Sequence, residues 1–460
     1  MRGLRSTLVL FLILVGLGSY IYFFETKKPA PGSEPARDKV FQVESDKIAS
    51  LTIARGSGER SVLQKEGSDW KLSSPVQADA DEAEVSSITS GIANLEIQRV
   101  VDEEPKDLAQ YGLQQPKIEI SFKVAGQEGE KQLHLGNKTP TGGDMYARLP
   151  NQKRVFLVPG YLESTFDKSA FDLRDKSILV FDRSKAASLE LTDGQKRIEM
   201  KKEGEEWRVV QPIQARADYG SVEGIVGRLQ SAQMKSIVTQ EAADLKPYGL
   251  DKPSLSATIG LGSARATIEL GGKADDGTLY ARDTSRPMVF TVESGLGDEL
   301  RKGVDDFRRK DVFEFRTYNA SAIEVARGPE TRAYEKAKGS EPDAVEKWRQ
   351  VKPAAKEIDQ PSLESFLSKL ANLRAAAFAP AGTKAGMETP VAAFTVRFDE
   401  GKKSETVTFG RVGSDVYASR PDEPGFMKID TAAFEEALKA LDEVKPAETK
   451  KAESTQPDKK

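Results

Sequence analysis

The side chains able to do chemistry are few and scattered. His134 is the one histidine. It stands between Leu133 and Leu135, an alternation that puts it on the polar face of a strand. The chain has no cysteine. A Ser-His-Asp relay, a His-based metal centre, a thiolate zinc site and a cysteine nucleophile therefore lack their parts. Asp79, Asp81, Glu82 and Glu84 crowd together as calcium ligands do, but the glycine and distal glutamate of a calcium loop are missing. Glycoside cleavage needs two defined carboxyl groups, and no pair stands out among 72 acidic residues. Gly271-Gly272-Lys273 lacks the upstream glycine and the following Ser or Thr of a phosphate loop. Neither G-x-S-x-G nor H-E-x-x-H occurs. No catalytic, metal or cofactor residue is assigned. What remains is a recurrent pairing of Tyr146 with Arg148, Tyr280 with Arg282 and Tyr417 with Arg420. Residues two apart share one face of a strand, as in the first two pairs, and the three pairs together form a candidate contact strip for a partner protein or an anionic polymer. The plainer reading is a packed tyrosine beside a solvated arginine.

Those pairs belong to a larger repeat. Each of the three tryptophans opens the same phrase: Trp70, Pro75 and Asp81; Trp207, Pro212 and Asp218; Trp348, Pro353 and Asp359, at identical spacing. After each aspartate, apolar residues recur at helical intervals: Val85, Ile88, Ile92 and Leu95; Val222, Ile225, Val226 and Leu229; Leu363, Phe366, Leu367, Leu370 and Leu373. The aspartate stands where an N-cap belongs, its carboxylate accepting from free amides of the first turn.

A more specific string follows. Asp107 to Pro116 reads DLAQYGLQQP and Asp244 to Pro253 reads DLKPYGLDKP. Asp107, Tyr111, Gly112, Leu113 and Pro116 thus match Asp244, Tyr248, Gly249, Leu250 and Pro253, at the same 137-residue separation as Trp70 and Trp207. A short helical turn ending at a left-handed glycine is expected, with Leu108 and Leu113 supplying the contact of a Schellman stop. The third copy is degraded: Gly386 and Pro390 persist, while Ala381 and Ala385 replace Asp and Tyr. Alternating segments such as KIEISFKV (117–124) and AFTVRF (393–398) then read as strands. Leu-Gly, Tyr-Ala-Arg and a final apolar run complete the first two copies. The expected fold class is α+β: three tandem repeats, each a mostly antiparallel sheet with one amphipathic helix on one face.

Composition sets the surroundings. Of 460 residues, 38% are hydrophobic and 30% charged, with a net charge of −4, which gives no overall pull toward nucleic acid. Arg2 and Arg5 precede an uncharged run from Thr7 to Phe24, long enough for a transmembrane helix and ending in a poor cleavage site, Tyr-Ile-Tyr-Phe-Phe-Glu. Residues 1–25 are read as an uncleaved single-pass anchor, with the N-terminus inside and the bulk extracytoplasmic. Residues 26–38 are a Pro-rich linker. The repeats are assigned to 39–177, 178–314 and 315–444, and residues 445–460 to a disordered charged tail.

Trp-x4-Pro, the capped helix, Asp-Leu-x-x-Tyr-Gly-Leu-x-x-Pro, Leu-Gly and Tyr-Ala in this order resemble the domain of unknown function 4340 family over nearly all of residues 40–440, strongly in two copies and weakly in the third. That resemblance implies a bacterial envelope protein with an N-terminal membrane segment, associated with an ABC-type transport system of the gliding-motility kind. It implies no reaction. The expected function is a membrane-tethered extracytoplasmic interaction or scaffold protein without a cofactor, whose partners are envelope or transporter proteins. A cell-envelope polysaccharide-binding module is the alternative, and a carboxylate-dependent hydrolase stands third.

Overall fold

The computed structural model describes residues 38–337 and 346–447. The anchor, nearly all of the Pro-rich linker, and the tail beyond residue 447 lie outside the described residues. The chain divides after Lys176 into two compact units.

The first unit holds one repeat. Its strands are β1 (Ile48–Arg55), β2 (Arg60–Glu66), β3 (Asp69–Ser74), β4 (Ala78–Asp79), β5 (Arg99–Asp102), β6 (Ile118–Val124), β7 (Lys131–Lys138), β8 (Asp144–Arg148) and β9 (Val155–Pro159). They form one sheet in the order β4-β3-β2-β1-β6-β7-β8-β9-β5, every neighbour antiparallel. Helix α1 (Glu82–Ala93) joins one edge strand to the other, so it crosses a face of the whole sheet. Its Val85, Ile88 and Ile92 share a buried core with Leu51, Ile53, Leu63, Ile120, Phe122 and Leu133. Two short helices, α2 (Leu162–Phe166) and α3 (Ala170–Leu173), close the repeat.

The second unit holds two more nine-stranded sheets with the same strand order. Helices α4 (Tyr219–Ser231), α5 (Ser294–Leu300) and α6 (Val304–Phe307) belong to its first sheet. Helices α7 (Gln360–Ala371) and α8 (Thr431–Asp442) belong to the other. The α+β, mostly antiparallel repeat expected from the spacing is what forms. Helix α8 lies beyond the repeated strand pattern, which ends at Ile429. It is a full helix where the other repeats have α2 and α5, and Phe434 stacks on Phe409 at 4.6 Å.

The repeated phrases earn their places in this frame. Asp81 accepts from the Ala83 and Glu84 N–H groups, Asp218 from Ser221 and Asp359 from Ser362. Trp70, Trp207 and Trp348 are 6%, 2% and 2% exposed. The prolines that follow, Pro75, Pro212 and Pro353, all sit on cis peptide bonds.

The Tyr-Gly-Leu turn lies on the opposite face of the sheet from α1, because Tyr111 packs on Tyr146, which alternates with core Met145 and Ala147. Gly112 and Gly249 both have φ of 67°, and Gly386 has 70°. Leu113 N–H donates to Leu108 O at 3.0 Å and Gly112 N–H to Ala109 O at 2.9 Å, the paired bonds of a Schellman stop. Leu250 and Gly249 repeat them with Leu245 and Lys246. The turn itself is a short 3₁₀ segment.

Single bridges seal the sheet edges. The departing chain pairs as Ala80 with Arg174, Ala217 with Arg308 and Ile358 with Pro446, and the arriving chain as Lys39 with Glu96, Ser177 with Gln233 and Asp311 with Arg374. Two boundaries move accordingly. Lys310 and Val312 already bond to Ala375 and Leu373, so the third repeat begins by Lys310 rather than at residue 315. Lys445 and Ala447 bond to Asp359 and Glu357, so the chain pairs through residue 447 rather than leaving the fold at 445.

Candidate functional site

The tyrosines of the proposed strip are tied to the Tyr-Gly-Leu turns. Ring centroids are 5.0 Å apart for Tyr111 and Tyr146 and 5.2 Å for Tyr248 and Tyr280. Tyr111 donates to Asp102 at 3.2 Å. In the third repeat Ala385 stands opposite Tyr417's position, and the ring pair is lost. Arg148 Nη2 donates to Pro150 O at 3.4 Å, and Arg282 is ion-paired with Glu269 on the neighbouring strand at 2.6 Å. Asp107 and Asp244 accept from the amides of Ala109 and Lys246 and start the turns, while Pro116, Pro253 and Pro390 stand just ahead of the strands that follow.

His134 is half-buried on β7, opposite Glu119 and Arg148. Burial pulls its pKa down, with Arg148 adding to that and Glu119 opposing it. Asp79 pairs with Lys71, and Asp81 pairs with Lys176 at 3.0 Å. Burial pushes the Asp81 pKa up, but the Lys176 ammonium and the two capping amides outweigh it and hold the carboxyl low. These carboxylates are engaged in caps and ion pairs. Among the described residues no group of three or more His, Asp or Glu side chains is arranged to hold a metal.

Arg420 is a correction to the strip. It is buried just past its strand, and Ser419 takes the place that Arg148 and Arg282 hold. Its side chain belongs to an ionic cluster within the second unit, where the two repeats meet. Arg420 Nη1 donates to Glu405 at 2.6 Å and to Val312 O at 3.0 Å, and its other nitrogens grip Asp422 at 3.0 and 3.1 Å. Glu405 also accepts from the Glu314 and Phe315 amides. Nearby, Arg216 pairs with Glu423 and donates to Asp311 O at 3.0 Å. Arg308 reaches Glu423 at 3.4 Å and lies over the Phe378 ring at 3.8 Å. Arg216, Arg308, Arg420, Glu405 and Glu423 all have side chains at most 5% exposed. Burial alone would lower the Arg420 pKa, but Asp422 and Glu405 more than offset it. Asp422 is held low by Arg420 against the opposing effect of burial.

Sequence spacing does not mark this cluster: Arg308 recurs as the buried Arg174, but Arg216, Glu405, Arg420 and Glu423 do not recur. One signal was present. In register with the tyrosines, Arg420 and Glu423 occupy the places of Asp283 and Arg286 with the charges exchanged, but Arg420 pairs with Glu405 and Asp422, and Glu423 with Arg216 and Arg308. Asp283 and Arg286 pair at 3.0 Å, and Arg286 holds Ser177 O and Ile178 O as Arg420 holds Val312 O. In both repeats this arginine clamps the arriving chain.

The fold and its polar chemistry define a tandem α+β repeat protein in which an ionic cluster joins the two repeats of the second unit. The family model described as Domain of unknown function (DUF4340) matches residues 70–208 and again 207–390. The chain belongs to that family. Each match opens at a tryptophan, inside a sheet, so the family unit is shifted in phase from the folded one. No curated protein matches the chain.

Proposed function

We propose that this protein is a membrane-tethered, extracytoplasmic interaction scaffold acting beside a transport complex. The observation that carries the reading is the repeat architecture itself, three nine-stranded sheets of the same strand order in tandem, since repeat proteins bind through the surfaces of their repeats. The uncharged run from Thr7 to Phe24 supports the tether. The buried tryptophans weaken the polysaccharide-binding alternative, which needs exposed aromatic platforms. The acidic run from Asp79 to Glu84 is engaged in caps, backbone hydrogen bonds and ion pairs, which lends a hydrolase no support.

The test is mild crosslinking of intact membranes followed by capture of the full-length chain. Recovery of transporter subunits supports the scaffold. Recovery of a bound glycan without them transfers the assignment to polymer binding.

A further inference from the structure

One position of the repeat is treated differently in the middle copy. The residue after each helix cap lies twelve positions beyond the tryptophan: Glu82, Tyr219 and Gln360. In the first repeat Glu82 Oε1 accepts from the Trp70 backbone N–H at 2.6 Å. In the third, Gln360 Oε1 accepts from the Trp348 N–H at 2.7 Å, while its amide donates to Trp348 O at 2.7 Å. In the second, Tyr219 turns outward and is 55% exposed. No side chain among the described residues takes the Trp207 N–H as Glu82 and Gln360 take its counterparts.

The space is open instead. A cleft of about 290 Å³ lies there, lined by Trp207, Arg216, Asp218, Tyr219, Arg309 and Asp311 with the exposed Glu206 at its rim. That volume lies at the lower end of ligand pockets and suits one side-chain-sized group. The charges of the wall are unequally available. Asp218 is committed to the Ser221 amide, and Asp311 is surrounded by Arg309, Arg316 and Arg374. Arg216 Nη1 is buried without a hydrogen bond, 3.5 Å from Glu314. An acceptor bearing negative charge seated on the Trp207 N–H, which no side chain among the described residues takes, would lie beside Arg216, whose Nη1 has hydrogen-bonding capacity to spare.

We propose that the cleft beside Trp207 binds a glutamate-type carboxylate supplied from outside the chain, seated on the Trp207 N–H as Glu82 and Gln360 are on theirs. Two repeats carry this group themselves, and the middle repeat receives it. The source is an acidic side chain of a partner protein or a small free carboxylic acid. The inference goes beyond the scaffold reading and does not require the membrane tether.

Saturation-transfer NMR on the full-length chain in detergent tests it, with N-acetylglutamate amide and a glutamate-containing pentapeptide as probes. The wild-type chain is expected to bind at least one of them. Binding of the peptide alone assigns the source to a protein, and equal binding of both assigns it to a free acid. Tyr219→Gln supplies the missing plug. It is expected to raise the unfolding midpoint and to weaken probe binding roughly tenfold or more, the loss of one hydrogen bond to a charged acceptor. Tyr219→Ala leaves the cleft open and is expected to keep binding. Absence of transfer from both probes in the wild type overturns the proposal. So does undiminished binding in Tyr219→Gln, or equal loss in both variants, which would assign the effect to the tyrosine ring.

Discussion

At the scale of single residues, the repeated letters are mostly answers to steric questions. The glycine of Leu-Gly shows this best. A Cβ built on Gly136 would stand 2.2 Å from Tyr111 O, on Gly271 2.1 Å from Tyr248 O, and on Gly410 2.1 Å from Ala385 O. The strand must be bare there for the Tyr-Gly-Leu turn to lie on it. Gly136→Ala is therefore expected to cost roughly 1–3 kcal/mol, as overpacking does, read as a lower midpoint in chemical unfolding. Gly112→Ala meets both a left-handed φ and the Asn137 side chain, 2.5 Å from the added carbon, and is expected to cost at least about 1 kcal/mol. A change confined to ligand binding in either variant would mark the turn as a contact loop instead. Trp348→Ala should cost about 3–5 kcal/mol, the range for a buried aromatic. An unchanged midpoint would remove the tryptophan from its assigned core.

At the scale of elements, what the sequence disclosed and what it hid follow a physical line. Local rules were legible: Asp81, Asp218 and Asp359 cap helices because a carboxylate next to free amides needs only its neighbours. Helix α1, the turn and the alternating strands came from periodicities of the same short reach. The joint between the repeats of the second unit was not legible, because Arg216, Arg308, Glu405, Arg420 and Glu423 meet only once the sheets exist. Glu423 now carries two buried arginines. Glu423→Ala leaves both without their carboxylate and is expected to cost about 3–5 kcal/mol, with the calorimetric transition of the second unit broadening or splitting. The pH dependence has a definite sign. The folded pKa values of Asp81 and Asp422 lie below their ordinary value. Their stabilisation is thus present above about pH 4, the unfolded value, and is lost as pH falls through the depressed folded value. Unfolding midpoints measured downward from pH 6 should fall most steeply below that point. A flat profile would show that these pairs contribute nothing net.

At the scale of the whole molecule, each repeat joins its beginning to its end. Strand β1 lies in the middle of its sheet and pairs with β6, which follows only after the helix and the turn. In time rather than in space, that order makes the repeat an indivisible quantum of folding. A chain emerging N-terminus first has made β1 to β4 and α1 before any partner for the open side of β1 exists. Its apolar edge then waits, exposed, for β6 and the strands that follow. Long-range pairing of this kind is slow and open to aggregation while it waits. A chain of residues 38–176 ends where the first unit ends and should be recovered soluble and cooperative. One stopped near residue 105 keeps every residue of α1 and the first five strands, yet should aggregate, because its central strand has an unanswered side. The length of the exposed interval, rather than the stability of the finished sheets, then sets how much such a protein depends on being held unfolded until a whole repeat has been delivered.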